Sequence, residues 1–222
     1  MRFTERGNAE VGGLHKVTLW VTICKPFVRT SFFVSLVFSL AIEKKEKSFT
    51  NINDYIKDSV EKHKAFFSSQ LNRKNAKGSA FHNFTRSIAN KCGESGLIYS
   101  NLFCFSFRNS NPVNSKLFNE IMNYSEQLLK AQIETLKPNI IIFANGGSTA
   151  KYRRHMFPVD GSHCVCSNFN DYVHDGIENI QLWRFDLYGK IKCYRIMHPS
   201  SYSKEAMKSR DFLIELLPPK NP

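Results

Sequence analysis

The sequence predicts an α/β fold, a three-layer αβα sandwich around a central, mainly parallel four-stranded sheet. Three observations predict it. From Gly96 onward, short apolar runs alternate with longer amphipathic stretches, the strand–helix rhythm of a parallel sheet covered by helices. Residues 139–144 (NIIIFA) are almost wholly apolar, as a strand buried on both faces must be. The runs at 97–102, 139–144 and 192–197 carry polar or glycine residues at their carboxyl ends (Asn101, Asn145-Gly146 and His198), which is where ligands sit in such folds.

Residues 17–23 (VTLWVTI) are rich in β-branched side chains and read as a first strand, stopped by Lys25-Pro26. The run 31–42 (SFFVSLVFSLAI) falls short of the roughly 18–20 residues needed to cross a bilayer. Extending it back to Val17 meets Lys25, Pro26 and Arg29, so a buried helix or strand pair is expected rather than a membrane anchor. Asn53 and Asp54 are placed to cap a helix bearing Tyr55, Ile56, Val60, Ala65 and Phe66. After a break at 72–78, Phe81, Phe84, Ile88 and Ala89 form a second apolar stripe, read as core and closing near Gly93.

Residues 97–102 form the next strand. A long helix then starts at Asn114 or Ser115, with Leu117, Ile121, Tyr124, Leu128, Ala131 and Gln132 on one face, and ends before Pro138. The strand at 139–144 runs through Asn145-Gly146-Gly147-Ser148-Thr149 into a helix containing Tyr152 and Met156. Residues 181–185 are expected as an edge strand and 192–197 as the last strand. A final helix carries Ala206, Met207, Phe212, Leu213, Leu216 and Leu217. One globular unit is expected: residues 1–50 as a divergent N-terminal segment, and 51–217 as the α/β domain.

Charge narrows the partners. Thirty-one Lys and Arg against nineteen Asp and Glu give a net charge of +12, which attracts polyanions such as DNA, or a nucleotide. The six cysteines are irregularly spaced, which fits reduced thiols in a cytoplasmic protein. His163-Cys164-Val165-Cys166 lacks a second ligand pair at zinc-finger spacing, so no metal is expected. The chain is read as a monomer with no cofactor and no membrane partner.

Three strand ends present chemistry. Asn101 offers an amide donor and acceptor that suit a base edge, and the following aromatics, Phe103 and Phe105, can stack on a base. Gly146, Gly147 and Ser148 allow a close backbone approach and free N–H groups for an anion, without the Lys of a P-loop. His198 can donate to a carbonyl or oxyanion, Pro199 fixes the turn, and Ser200 and Ser201 can hold a phosphate.

In order and spacing, these features resemble the uracil-DNA glycosylase superfamily over about 120 residues. Residues 97–111 (LIYSNLFCFSFRNSN) are similar to the family's segment in which a strand ends in a uracil-reading Asn. Residues 136–146 (LKPNIIIFANG) resemble its Leu-Lys-Pro, apolar strand and glycine. Residues 195–200 (RIMHPS) resemble its closing motif. The resemblance implies a DNA-repair hydrolase that flips a uracil or other damaged base from the stack and cleaves its N-glycosidic bond. It implies that Asn101 reads the base, His198 stabilises the anionic leaving group, Phe103 or Phe105 stacks, and Ser200, Ser201 and Lys204 meet phosphates. The family's first motif, which positions water, has no counterpart: the first strand is followed by Cys24-Lys25-Pro26-Phe27. Either another group positions the water, with Asp160 and Asp171 as the acids to examine, or the chain is a non-catalytic nucleic-acid or nucleotide-binding relative. The four-cysteine iron–sulfur cluster of some branches is not expected, since no N-terminal Cys pair exists.

Overall fold

The computed structural model describes residues 17–21, 51–94, 97–104 and 112–220. The apolar run 31–42, Cys24 and Phe105 lie outside the described residues. The strands are β1 (Val17–Val21), β2 (Leu97–Asn101), β3 (Ile140–Phe143), β4 (Cys166–Asn170), β5 (Leu182–Leu187) and β6 (Ile191–Ile196). The helices are α1 (Ile52–Leu71), α2 (Ala80–Cys92), α3 (Phe118–Leu136), α4 (Ala150–Met156) and α5 (Lys204–Leu216).

The expected four-stranded, mainly parallel sheet is corrected. The sheet has six strands in the order β2-β1-β3-β6-β5-β4 and is mixed. The β2–β1, β1–β3 and β3–β6 neighbours run parallel, whereas β6–β5 and β5–β4 are antiparallel. The reason is the length of the links. Tyr188 and Gly189, at φ 54° and 65°, make a tight hairpin turn closed by the Lys190 N–H on the Leu187 carbonyl. So short a link cannot make the crossover that parallel strands need. The segment expected as an edge strand is therefore internal. β4 takes the edge with the polar sequence CSNFN, of which only Cys166 is buried, so it lacks the apolar pattern that marks a strand.

Alternation along the strands makes two cores. On one face Leu97, Tyr99, Ile142, Tyr194 and Ile196 meet Phe84 and Ile88 of α2 and Leu213 of α5. On the other, Ile141, Phe143, Phe185 and Cys193 meet Leu129 and Ile133 of α3 and Met156 at the end of α4. The α3 stripe is rotated from its expected position: Ile121, Met122, Ser125, Leu129 and Ile133 are buried, while Leu117, Tyr124 and Ala131 are exposed. The helix starts at Phe118, after a 3-10 turn at Pro112–Asn114, and its buried residues recur every four positions from Ile121 to Ile133, a line that takes in the polar Ser125 and so is not marked by apolarity alone. In α1 the cap is Asn51, whose side chain accepts from the Asp54 N–H, rather than Asn53 or Asp54. Among the described residues no helix is long and apolar enough to cross a membrane.

Candidate functional site

The parallel register aligns the carboxyl ends of four strands. Val21 lies beside Asn101, Trp20 beside Phe143, and Phe143 beside Arg195. Asn101 closes β2, the Asn145-Gly146 turn follows β3, and His198 lies two residues beyond β6. The sheet thus collects three of the sequence-predicted positions along one edge.

Asn101 is 7% exposed. The Tyr99 hydroxyl, two residues earlier and hence on the same face, donates to its Oδ1 at 3.4 Å. Burial pushes the Tyr99 phenol well above its ordinary pKa, so it keeps its proton and remains a donor. With Oδ1 held in this way, the amide presents Nδ2 as its unused donor, and no described residue accepts from it.

His198 is fixed from its other side. The Ser200 backbone N–H donates to Nδ1 at 3.1 Å, which makes Nδ1 the acceptor and leaves the proton of the neutral ring on Nε2. The turn is tied by the Ser201 N–H on the His198 carbonyl at 2.8 Å, and Arg210 of α5 donates to the Ser201 carbonyl at 2.9 Å. Burial first, and the Arg210 charge second, lower the His198 pKa. The imidazole is therefore neutral at pH 7, a donor through Nε2 rather than a cation.

Gly146 lets the two strand ends meet. Its φ of 70° disfavours any side chain, and an added Cβ would lie 3.4 Å from the His198 nitrogen and 3.6 Å from its Cβ. Next to it Asn145 is 2% exposed, and its Nδ2 has no partner among the described residues. Gly147, Ser148, Ser200 and Lys204 are exposed around the edge; Ser201 is half-buried and Pro199 buried.

The ring at this corner is Phe81, from the first turn of α2. Its centroid lies 5.6 Å from Tyr99 and 6.4 Å from His198, nearly parallel to the imidazole at 28°. It bridges the β2 and β6 ends of the site. Phe81 is half-buried and packs against the core as its place in the apolar stripe predicts, and nothing in the local sequence shows that it also borders this corner; Tyr99 could have been found by its spacing from Asn101. Phe103, expected to stack on a base, belongs to the opposite core: it is 5% exposed and packs edge-on against Phe118 and Tyr152.

The acids lie elsewhere. Asp160 sits in the link bounded by the Val165 N–H on the Pro158 carbonyl, just before β4 starts opposite Leu187, and Leu187 pairs with the first residue of β6. That is the far edge of the sheet. Asp171 follows β4, two strands beyond β6, where it is exposed and accepts from the Val173 N–H. Among the described residues, Arg210 is the charged group that acts on His198. Among the described residues no group of three or more His, Cys, Asp or Glu could hold a metal; Cys164 is exposed and Cys166 buried.

No family model matches the chain, and no curated protein matches its sequence. The fold and the corner define a class on geometry alone: an α/β chain with neutral N–H donors and an aromatic ring grouped at the carboxyl ends of its parallel strands.

Proposed function

We propose that this corner grips a nucleobase carrying ring carbonyls, in the manner of uracil-DNA glycosylases, and that the chain hydrolyses the N-glycosidic bond of uracil or another damaged base in DNA. The observation that carries the reading is the neutral, Nε2-protonated His198 held by the Ser200 N–H. As the bond from C1′ to the base breaks, its electron pair leaves with the base and the charge spreads onto the carbonyl oxygen. Water supplies the hydroxyl to C1′, and its remaining proton passes through solvent to the departing base anion. A fixed N–H aimed at that oxygen stabilises the charge without having to reorganise. Asn101 Nδ2 offers a second donor for another carbonyl, and Phe81 gives a surface for the ring.

The test is to incubate the protein with uracil-containing single- and double-stranded oligonucleotides and cleave the abasic sites with alkali. Strand scission is expected, and His198→Ala should slow it about 10²–10³-fold, the usual effect of losing one such donor. No scission with uracil, hypoxanthine or other damaged bases sinks the hydrolytic reading.

One observation favours a second reading, base or nucleotide binding without cleavage. No Asp or Glu occurs from residue 11 to 42, the stretch that holds β1, the strand paired between β2 and β3. A carboxylate to orient water does not come from that strand. DNA binding that weakens with salt but releases no base supports this second reading.

A further inference from the structure

The excess positive charge is not spread evenly. From Lys62 to Gly93 the chain carries seven Lys and Arg (Lys62, Lys64, Arg73, Lys74, Lys77, Arg86 and Lys91) and no Asp or Glu. Three of these, Arg73, Lys74 and Lys77, are exposed on the loop between α1 and α2. None forms an ion pair with a described residue.

Three like charges on one short loop repel each other, and a loop left to itself would spread them. This one is pinned instead. The Asn83 side chain accepts from the Ala76 N–H at 3.2 Å and donates to the Ala76 carbonyl at 3.0 Å, clamping one residue from both sides. Arg86, 6% exposed, donates to Asn75 Oδ1 at 2.9 Å, to the Gln70 carbonyl at 2.6 Å and to Asn83 Oδ1. A buried guanidinium thus holds the loop through carbonyl and amide oxygens, with no carboxylate to cancel the charge beside it.

The loop stands next to the corner already described. It leads into the helix whose first turn carries Phe81 and His82, and those two rings touch at 5.4 Å. Burial first, then Arg86 and Arg73, lower the His82 pKa, which puts the loop cation within electrostatic reach of that ring. The path from exposed charge to His198 runs Arg73, His82, Phe81, His198.

We propose that the α1–α2 loop, through Arg73, Lys74 and Lys77, is the contact for the sugar–phosphate backbone of the DNA strand whose base enters the Asn101–His198 corner. The inference rests on the base-binding reading for its register but not for its chemistry. Backbone contacts release counterions and carry no sequence information. A fixed array of cations beside an aromatic-lined corner suits a strand laid across the loop with one base turned inward.

The probe is a fluorescein-labelled 21-mer containing one uracil, single-stranded and as a duplex, titrated at several salt concentrations. Combining Arg73→Gln, Lys74→Gln and Lys77→Gln should weaken binding at least tenfold near 100 mM salt. It should also flatten the slope of log K against log salt by about 0.7 per lost contact on the single strand, or about 0.9 on the duplex. Three exposed lysines at the far edge, Lys137, Lys190 and Lys192, serve as the control. Replacing them with Gln should change neither quantity. Asn83→Ala keeps all three charges but releases the clamp, and should give an intermediate loss.

An unchanged slope in the loop variant overturns the proposal, whatever the fate of base release. So does equal binding to phosphatidylserine vesicles that falls with the same substitutions, because the loop would then be a membrane contact. If loop-dependent DNA binding persists while Asn101→Ala and His198→Ala change neither affinity nor base release, the loop stands and the base-binding reading fails.

Discussion

The two faces of the sheet use the same kinds of residue to opposite ends. On the α3–α4 face, aromatics fill space: Phe103, Phe118 and Tyr152 lock edge to face, and Phe143 stacks on Phe185 at 5.9 Å. Even one of its arginines is wholly enclosed. Arg153 is 2% exposed among Phe143, Trp183 and Phe185, and its Nε and Nη1 have no acceptor among the described residues. On the α1–α2–α5 face, the core ends in a polar corner where Phe81 borders Tyr99 and His198, and the arginines either hold turns or face solvent. What a Phe or an Arg does here is set by what lies at the end of its face, not by its type.

The sharpest way to break this contrast is to make one substitution on both faces. Phe103→Ala should destabilise the fold by about 3–5 kcal/mol in urea denaturation, the usual result of emptying a packed aromatic site, while the folded fraction binds DNA normally. Phe81→Ala should cost far less stability and weaken oligonucleotide affinity about tenfold, within the range for loss of one stacking ring. If the two variants behave alike, the functional difference between the faces does not exist.

Arg153 gives a smaller test in the opposite direction. Burial, and then the nearby Arg195 charge, lower its pKa to about 10, a sign that the charged form is disfavoured where it sits. Its contacts with three rings return part of that cost. Arg153→Met should therefore raise stability by about 1–2 kcal/mol, read as a higher urea midpoint. A lower midpoint would mean that the rings compensate the cation fully.

Acid provides the mildest probe. Burial and neighbouring cations lower the pKa of both His198 and His82 in the folded state, so below about pH 6.5 the unfolded chain takes up more protons than the folded one. The associated stability is complete above that pH and is lost as the pH falls through it. Comparing urea midpoints at pH 7.5 and 5.5 should show a drop in the wild type, and a smaller drop in His198→Gln. An equal drop in both would exclude His198 as a contributor.

Much of the site was legible because strand ends are local features. Asn101 and His198 follow apolar runs, and Gly146 stands where a strand must turn sharply into a helix; all three lie at one sheet edge. Phe81 was not legible, because an aromatic at helical spacing looks the same whether it faces the core or borders a site. Nor was the pinned loop: Arg86 and Asn83 hold it through carbonyl and amide oxygens that the fold alone brings within reach.

By itself, the sequence determined the α/β class, most of the helices, the central β3 strand and the polar residues at the strand ends. These depend on periodicity and on local turn chemistry, which neighbouring residues carry among themselves. Only the tertiary structure decided that β4 and β5 extend the sheet antiparallel, that Phe103 belongs to one core while Phe81, at the rim of the other, also borders the corner, and that His198 is a neutral donor. Strand direction, ring neighbours and the desolvation that lowers a pKa depend on residues distant in the chain, and no local pattern encodes them.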